Sequence, residues 1–415
     1  MRDRELYQRI LGIEEPWRVV DVELALDVKD GEVRVHVANL ERKPPCPKCG
    51  RPCGRYDSRP RHWRHLDTCQ YPTILVAEVP RIKCEQDGVL QVQVPWAAPG
   101  SRFTALLEAL IIDWLKEASI SAVARQFKLP WETVDGIQQR AVRRGLTRRR
   151  RNVPALPKHL GVDETSYRKR HQYVTVVIDQ DRDTVVHVAD DRGRDALAGY
   201  FAGFPVSQRQ AVKSVAMDMH GPYISAVIAA IPDADRKIAF DRFHIARHMG
   251  EAVDQVRRRE HKELKERTIN PLTGTRYLWL QNPDAMEIER LEQLDELMTS
   301  CRKTARAWAI KELARSLWHY RTRRWAREAW LRWYSWAIRS QLGPVRRVAR
   351  MVKTHLEGIL NAVVLGVTNA RSEALNAKIQ WIKYTARGFR NRARFRNAIY
   401  FHLGGLDLYP RPFER

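Results

Sequence analysis

The sequence predicts a multidomain α/β protein, and three observations carry that expectation. The period of the apolar residues is two over the first 95 residues, helical from Arg102, mixed from Leu160 to Phe240, and helical again to about Asn397. The 415 residues suffice for roughly two to three separate cores. Lys and Arg number 73 against 49 Asp and Glu, a net charge of +24, which points to a polyanionic partner, with nucleic acid first. Boundaries are expected at 1–98 for a zinc-finger-like β module, 99–150 for a helix-turn-helix, 151–250 and 361–415 for the two parts of a catalytic core, and 251–360 for an all-helical insertion.

The front module is read first from alternation. Val20, Val22, Leu24, Leu26 and Val28 share one side, Asp30-Gly31 turns the chain, and Val33, Val35 and Val37 follow, so a β-hairpin with one dry face is expected. A Pro- and Arg-rich stretch then leads to strands near 73–79 and 89–94 flanking Cys84. Cys46-Pro-Lys-Cys49-Gly50 has knuckle spacing, in which two thiolates from one tight turn reach the same tetrahedral Zn²⁺. Cys84-Glu-Gln-Asp87-Gly88 offers one more cysteine and a carboxylate, an uncommon donor in structural zinc sites. Cys53, His62, His65 and Cys69 are alternative fourth ligands, and a metal-free module with buried thiols is the plain alternative.

Residues 119–137 have the spacing of a helix-turn-helix. Ala124 is small enough for two helices to cross closely, while Val123, Leu129, Val134 and Ile137 build a small core. Pro130 suits the first turn of the second helix, whose leading residues Trp131, Glu132 and Thr133 would enter a major groove. Gln138, Arg140, Arg143, Arg144, Arg148 and Arg149 are further candidates for DNA contact, the arginines toward phosphates. The basic and proline-bearing stretch 143–157 reads as a linker. A helical hairpin packed in a core is the plain alternative for the whole segment.

Strands are expected near 160–163, 173–178, 184–189, 212–217 and 237–240, with helices at 196–201 and 222–231. Three meandering strands followed by alternating helices and strands make an α/β sandwich. Asp163 closes the first strand and Asp218 ends the fourth, and strand ends in such an order lie side by side. Two carboxylates there repel unless a cation sits between them, and an oxygen-lined site suits Mg²⁺ or Mn²⁺. A third ligand should come from a later helix, with Asp241 and Glu373 as candidates. Beyond Phe243 the chain is helical and basic, with tryptophans at 308, 318, 325, 330, 333 and 336. The spacing of Trp325, Trp333 and Trp336 is read as core packing, and Arg321, Arg323 and Arg324 as the better candidates to reach DNA.

Taken together, Gly161-Val-Asp163-Glu164, Met217-Asp218-Met219, Asp241-Arg-Phe-His244 and Asn369-x-x-x-Glu373-x-x-Asn376-x-Lys378-Ile379, ending in Gly388-Phe-Arg-Asn391, resemble the DDE transposases of the bacterial "ISL three" insertion-sequence family. That family also places a zinc finger before a helix-turn-helix, and its pieces stand here at 46–50, 63–67 and 80–84. The departure is Asp87, where Cys or His is common. The resemblance implies a ribonuclease-H-like catalytic domain, with Asp163, Asp218 and Glu373 as the catalytic triad holding two Mg²⁺ or Mn²⁺ ions and the tryptophan-rich helices as an insertion. It also implies cleavage of terminal inverted repeats and joining to target DNA, and a homodimer or larger synaptic complex. His244 would assist the site, and Asn376 and Lys378 would approach a scissile-strand phosphate. A catalytically inactive or domesticated DNA-binding regulator is the alternative. The charged N-terminus without an apolar signal region, and apolar runs far shorter than the roughly 20 residues of a membrane span, lead to a cytoplasmic, nucleoid-associated protein as the expectation.

Overall fold

The computed structural model describes residues 3–27, 31–152, 155–168, 172–190, 193–266, 271–366 and 370–410. The chain forms two compact units: Met1–Val153 with Tyr400–His402 and Leu406–Arg415, and Pro154–Ile399 with Leu403–Gly405. No helix among the described residues is long and apolar enough to cross a membrane.

In the first unit α1 (Asp3–Ile10) precedes β1 (Trp17–Ala25) and β2 (Glu32–Asn39), which pair antiparallel. Long strands β3 (Arg55–Thr68) and β4 (Tyr71–Cys84) form a second antiparallel pair, and the short β5 (Gly88–Gln91) adds to β4. The order is β1-β2-β4-β3, with β2 and β4 parallel. Val33, Val35 and Val37 are buried as expected. Their partner strand is not: Val20, Leu24 and Leu26 are exposed, and Trp17, Val19 and Ala25 face inward instead. The pairing register shifts between Val19 and Asp21: Val19 stands opposite Val37 before the extra residue, and Val22 and Leu24 stand opposite Val35 and Val33 after it, so the expected phase holds only past the shift. The turn residues Val28 and Asp30 lie outside the described residues. Inside, Trp96 meets Trp17 and Trp63 edge-on at 4.9 and 5.4 Å between ring centroids.

Three helices follow: α2 (Ala105–Glu117), α3 (Ile120–Gln126) and α4 (Trp131–Arg151). Thr104 and Ser119 cap α2 and α3, their hydroxyls accepting from the N–H groups of Leu107 and Ala122. Val123, Val134 and Ile137 are fully buried, with Ala124 at the crossing. The expected linker at 143–157 is corrected: α4 continues through the arginine run to Arg151. Arg140, Arg144 and Arg148 recur every four residues on one face and find partners there. Arg140 and Arg144 donate to the buried Glu108 at 2.7 and 3.5 Å, and Arg144 and Arg148 donate to backbone carbonyls of residues 407–409. That segment crosses α4 at Gly145, where a Cβ would come within 2.7 Å of Leu406.

The second unit opens with β6 (His159–Arg168), β7 (Gln172–Asp179) and β8 (Thr184–Ala189). It continues through α5 (Arg194–Ala202) and α6 (Val206–Gln210) to β9 (Ser214–Met217), then α7 (Gly221–Ala230), α8 (Ala234–Lys237) and β10 (Ile238–Phe240). The sheet order is β10-β9-β6-β7-β8. β6, β9 and β10 run parallel, and β7 is antiparallel to both its neighbours. The helical stretch comprises α9 (Arg242–Lys265), α10 (Arg276–Leu280), α11 (Ile288–Ser300), α12 (Arg302–Ser316), α13 (Arg323–Arg339), α14 (Gly343–Thr354) and α15 (Leu356–Leu365), before α16 (Ala370–Thr385) and α17 (Arg392–Leu403). Its buried Trp279, Trp330 and Trp333 belong to the same apolar cluster as Val162 and Met217 of the sheet, so helices and sheet share one core. Two of the tryptophans read as core packing are corrected: Trp325 is 56 % and Trp336 39 % exposed, on the outer side of α13.

Candidate functional site

Three acids form a row across three parallel strands: Asp218 and Asp241 directly follow β9 and β10, whereas Asp163, expected to close its strand, lies inside β6, which runs on to Arg168 in its pairing with β7. β6 and β9 pair in a register that, continued past Gly161 and Ala216, sets Asp163 level with Asp218. β10 and β9 pair so that Asp241 follows Phe240 level with Asp218 in turn. The parallel pairing of β6 with β9 ends at Gly161, so this row lies where the parallel part of the sheet stops, beside a reversal of strand order, where open α/β sheets bind ligands. Asp163 is the most perturbed member. Burial pushes its carboxyl up to about 6, against the Glu164 N–H bond and the neighbouring His244, with Asp218 adding repulsion and the Asn376 amide opposing it. Asp218 accepts from the His220 N–H at 3.2 Å, which turns the chain into α7. Asp241 is 6 % exposed and caps α9, accepting from the Phe243 N–H at 3.0 Å and facing His244 Nε2 at 3.7 Å. It is therefore engaged as a helix cap and a partner for His244.

Helix α16 brings the later motif to this row. Asn376 Nδ2 donates to Asp163 Oδ2 at 2.5 Å, Gln380 Nε2 to Thr165 Oγ1 at 3.3 Å and Lys383 Nζ to the Ser166 carbonyl at 2.7 Å. These three side chains recur at helical spacing and fix α16 along β6. Glu373, one turn before Asn376, is exposed on that helix. Asn369 lies outside the described residues. Gln380 and Lys383 escaped the sequence reading, although their spacing from Asn376 is the signal that could have found them. Tyr223 was missed too. Its hydroxyl meets Thr175 Oγ1 at 2.8 Å, and burial first, with the charges of Glu164, Asp218 and Asp163, pushes its phenol well above the usual range.

The donor set suits a hard divalent cation. It is made of carboxylate oxygens, and Asn376 Oδ1, on the amide that binds Asp163, is buried without a hydrogen-bond donor. A cation between Asp163 and Asp218 would also remove the Asp218 repulsion that adds to the effect of burial on Asp163.

In the first unit Cys46, Cys49, Cys84 and Asp87 place one donor atom each within 4.8 Å of one another. The Cys49 and Cys84 sulfurs are 3.6 Å apart, and Asp87 Oδ2 lies 3.4 Å from Cys46 Sγ and 3.6 Å from Cys84 Sγ. Tetrahedral zinc with Zn–S bonds of about 2.3 Å needs sulfurs roughly 3.8 Å apart, so the residues fit that ion. The two turns match: Gly50 follows Cys49 at φ +73° and Gly88 follows Asp87 at φ +74°, a left-handed conformation open to glycine without strain. Backbone N–H groups of Asp87 and Gln86 hold the Cys84 thiol below its ordinary value. Against the Arg51 N–H, burial and the sulfurs of Cys84 and Cys46 push Cys49 up to about 11. Of the alternative ligands, Cys53 lies beside the cluster against the Cys84 thiol while its Sγ donates to the Arg51 carbonyl, His65 Nδ1 meets Thr104 Oγ1 at 2.9 Å, and His62 and Cys69 are exposed.

Of the DNA-contact candidates, Thr133 and Trp131 are half-buried at the start of α4, Arg149 is half-buried, and Arg143 and Lys378 are exposed. Gln138 is only 5 % exposed and faces the helical core, so it does not reach a groove. Arg140, Arg144 and Arg148 are occupied by Glu108 and by residues 407–409, because burying Glu108 requires cations beside it.

Comparison with known proteins agrees with this layout. A family described as "Transposase", of the ISL3 type, matches residues 160–399. The "Helix-turn-helix domain of transposase family ISL3" matches 92–142, and the "zinc-finger of transposase IS204/IS1001/IS1096/IS1165" matches 42–87. The transposase for insertion sequence element IS1001 of Bordetella parapertussis is 29 % identical over 357 residues, 84 % of this chain and 86 % of that one. The transposase for insertion sequence element IS1557 of Mycobacterium tuberculosis is 28 % identical over 94 % of this chain and 93 % of its own.

Proposed function

Since the chain belongs to the ISL3 family of transposases and is a DDE-type DNA transposase, we propose that Asp163, Asp218 and Glu373 are its carboxylate triad. The observation that carries this is the shared register of Asp163 and Asp218 on adjacent parallel strands, with Asn376 of the Glu373 helix bonded to Asp163. The strand order with β7 alone reversed supports a ribonuclease-H-like core, into which the helices of 251–360 are inserted.

Two divalent ions, Mg²⁺ or Mn²⁺, would supply Lewis acidity on the phosphate and activate the attacking water or 3′-OH. The protein's part is positioning. Asp163 stands level with Asp218, and the Asn376 amide holds its Oδ2. Asp218 is set by its turn into α7, and Glu373 approaches from α16, whose place along β6 is held by Asn376, Gln380 and Lys383. His244, oriented by Asp241, stands beside Asp163 where a proton leaving the nucleophile can be received. The same arrangement serves both steps: hydrolysis frees a 3′-OH at the element's end, which takes the water's place and attacks target DNA in line.

In the first unit Cys46, Cys49, Cys84 and Asp87 hold a structural Zn²⁺. Trp131, Thr133, Arg143 and Arg149 contact the terminal repeats, and Lys378 serves a strand in the active site. Joining two ends requires a homodimer or a larger synaptic complex, working on DNA in the nucleoid. The test is cleavage of labelled DNA carrying the element's terminal repeats. Wild-type protein with Mg²⁺ or Mn²⁺ nicks the repeat end, and Asp218→Ala abolishes nicking while repeat binding stays within about twofold. Repeat-specific binding by the wild type without cutting in either metal overturns the catalytic assignment.

A further inference from the structure

Helix α16 has three sides with different tasks. Leu375, Ile379 and Ile382 are buried on one. Asn376, Gln380 and Lys383 bond to β6 on the next. The third carries Glu373 and, farther along, two large aromatic rings turned to solvent: Trp381 is 50 % and Tyr384 85 % exposed. At 100° and 1.5 Å per residue, Tyr384 lies about 20° from Glu373 around the axis and ~16 Å along it, with Trp381 between them at ~12 Å. The hydrogen bonds to β6 from Asn376, Gln380 and Lys383 run along the helix up to the residue before Tyr384, so the rings are displayed by an anchored element.

The surroundings identify what the rings face. From Ala374 to Asn391 the sequence has no Asp or Glu, while it holds Lys378, Lys383, Arg387 and Arg390. Lys378, Arg387 and Arg390 are exposed. Outward rings spaced along a basic track that begins at a catalytic carboxylate match the chemistry of a nucleic acid strand, whose bases stack on aromatic faces while its phosphates meet cations. We infer that Tyr384, with Trp381 beside it, stacks on bases unpaired next to the cut, within about five nucleotides of the scissile phosphate at 3.4 Å per stacked nucleotide. Tyr384 is thus a positioning residue: it holds the frayed strand so that the phosphate sits at the carboxylates. The inference rests on the proposed triad.

The experiment uses the full chain carrying Asp218→Asn, so that binding is read without cleavage, and two probes of one repeat-end sequence. One is fully paired, and the other is frayed over five nucleotides beside the cut, with 2-aminopurine in the frayed strand. Adding Tyr384→Ala weakens binding of the frayed probe by about 5- to 100-fold and abolishes the quenching of 2-aminopurine, while binding of the paired probe stays within twofold. Tyr384→Phe, which keeps the ring, restores both. Equal loss on the two probes, no loss on either, or failure of Tyr384→Phe to restore binding overturns the inference. Failure of the triad has a different signature: otherwise wild-type protein does not cut in Mg²⁺ or Mn²⁺, whatever stands at 384. Because Tyr384 is exposed, its replacement leaves the melting temperature unchanged, which separates lost stacking from lost folding.

Discussion

The two units carry metal-type donors in opposite ways, and among the described residues only those of the first are drawn into one cluster. In the first unit, four donors from two short turns converge within 4.8 Å, each turn closed by a glycine. In the second, Asp163 of β6 stands level with Asp218 at the end of β9, while Glu373 faces solvent on α16. The first is closed, as a structural ion requires; the second keeps open the positions where substrate must enter. A closed site contributes its binding energy to folding, whereas an open one retains repulsion that is relieved only when its ions and DNA arrive.

The largest expected effect separates the two in function. Glu373→Gln lowers the rate of repeat-end cleavage on the order of 10³-fold or more in a single-turnover assay with Mg²⁺. Asn376→Ala, which removes only the amide that orients Asp163, lowers it about 10- to 100-fold. Equal losses would break the distinction between a ligand and its support. Next comes the closed cluster: Cys84→Ala takes zinc content from one to none per chain, measured by plasma emission, and destabilises the first unit by several kcal/mol in denaturant titration. Asp87→Ala weakens zinc binding and Asp87→Cys strengthens it. Unchanged affinity in Asp87→Ala would move the fourth ligand elsewhere.

The smallest effect is a stability difference with a defined sign. Asp163 has its folded pKa raised to about 6 from an ordinary 3.8, so the native state binds the extra proton between those values, and stability falls as pH rises through that window. Asp163→Asn, which cannot ionise, therefore melts higher than the wild type in metal-free buffer at pH 7.5, by roughly 1–3 kcal/mol. That advantage disappears below about pH 4, and an advantage independent of pH would detach it from ionisation.

How much of this was legible depended on whether the information was local. Asp163 and Asp218 stood out as acids in apolar strand segments, which are costly without a purpose, although β6 runs on past Asp163 to Arg168, and the cysteine knuckle stood out because its spacing is its geometry. Strand β3 was hidden: His62, Arg61 and Pro60 lie on its exposed stretch, and only Trp63 and His65 turn inward. The phase of β1 was misread because an irregular register leaves no mark in composition. The end of α4 was misplaced because arginines that look solvated in sequence are partnered by Glu108 and by residues more than 250 positions later, an association that no local window contains.

That last association bears on how the protein is made. The carbonyls of Asp407, Leu408 and Tyr409 receive Arg144 and Arg148, Leu406 lies across Gly145, and Lys116 stacks over the Tyr409 ring at 4.6 Å. A ribosome must therefore polymerise the entire second unit before the first receives its final piece. Products released early, or clipped ahead of Leu406, leave the arginines of α4 without their carbonyl partners. The fold thus makes completion of translation a condition for a finished DNA-reading unit, so each properly assembled reader carries its catalytic half with it.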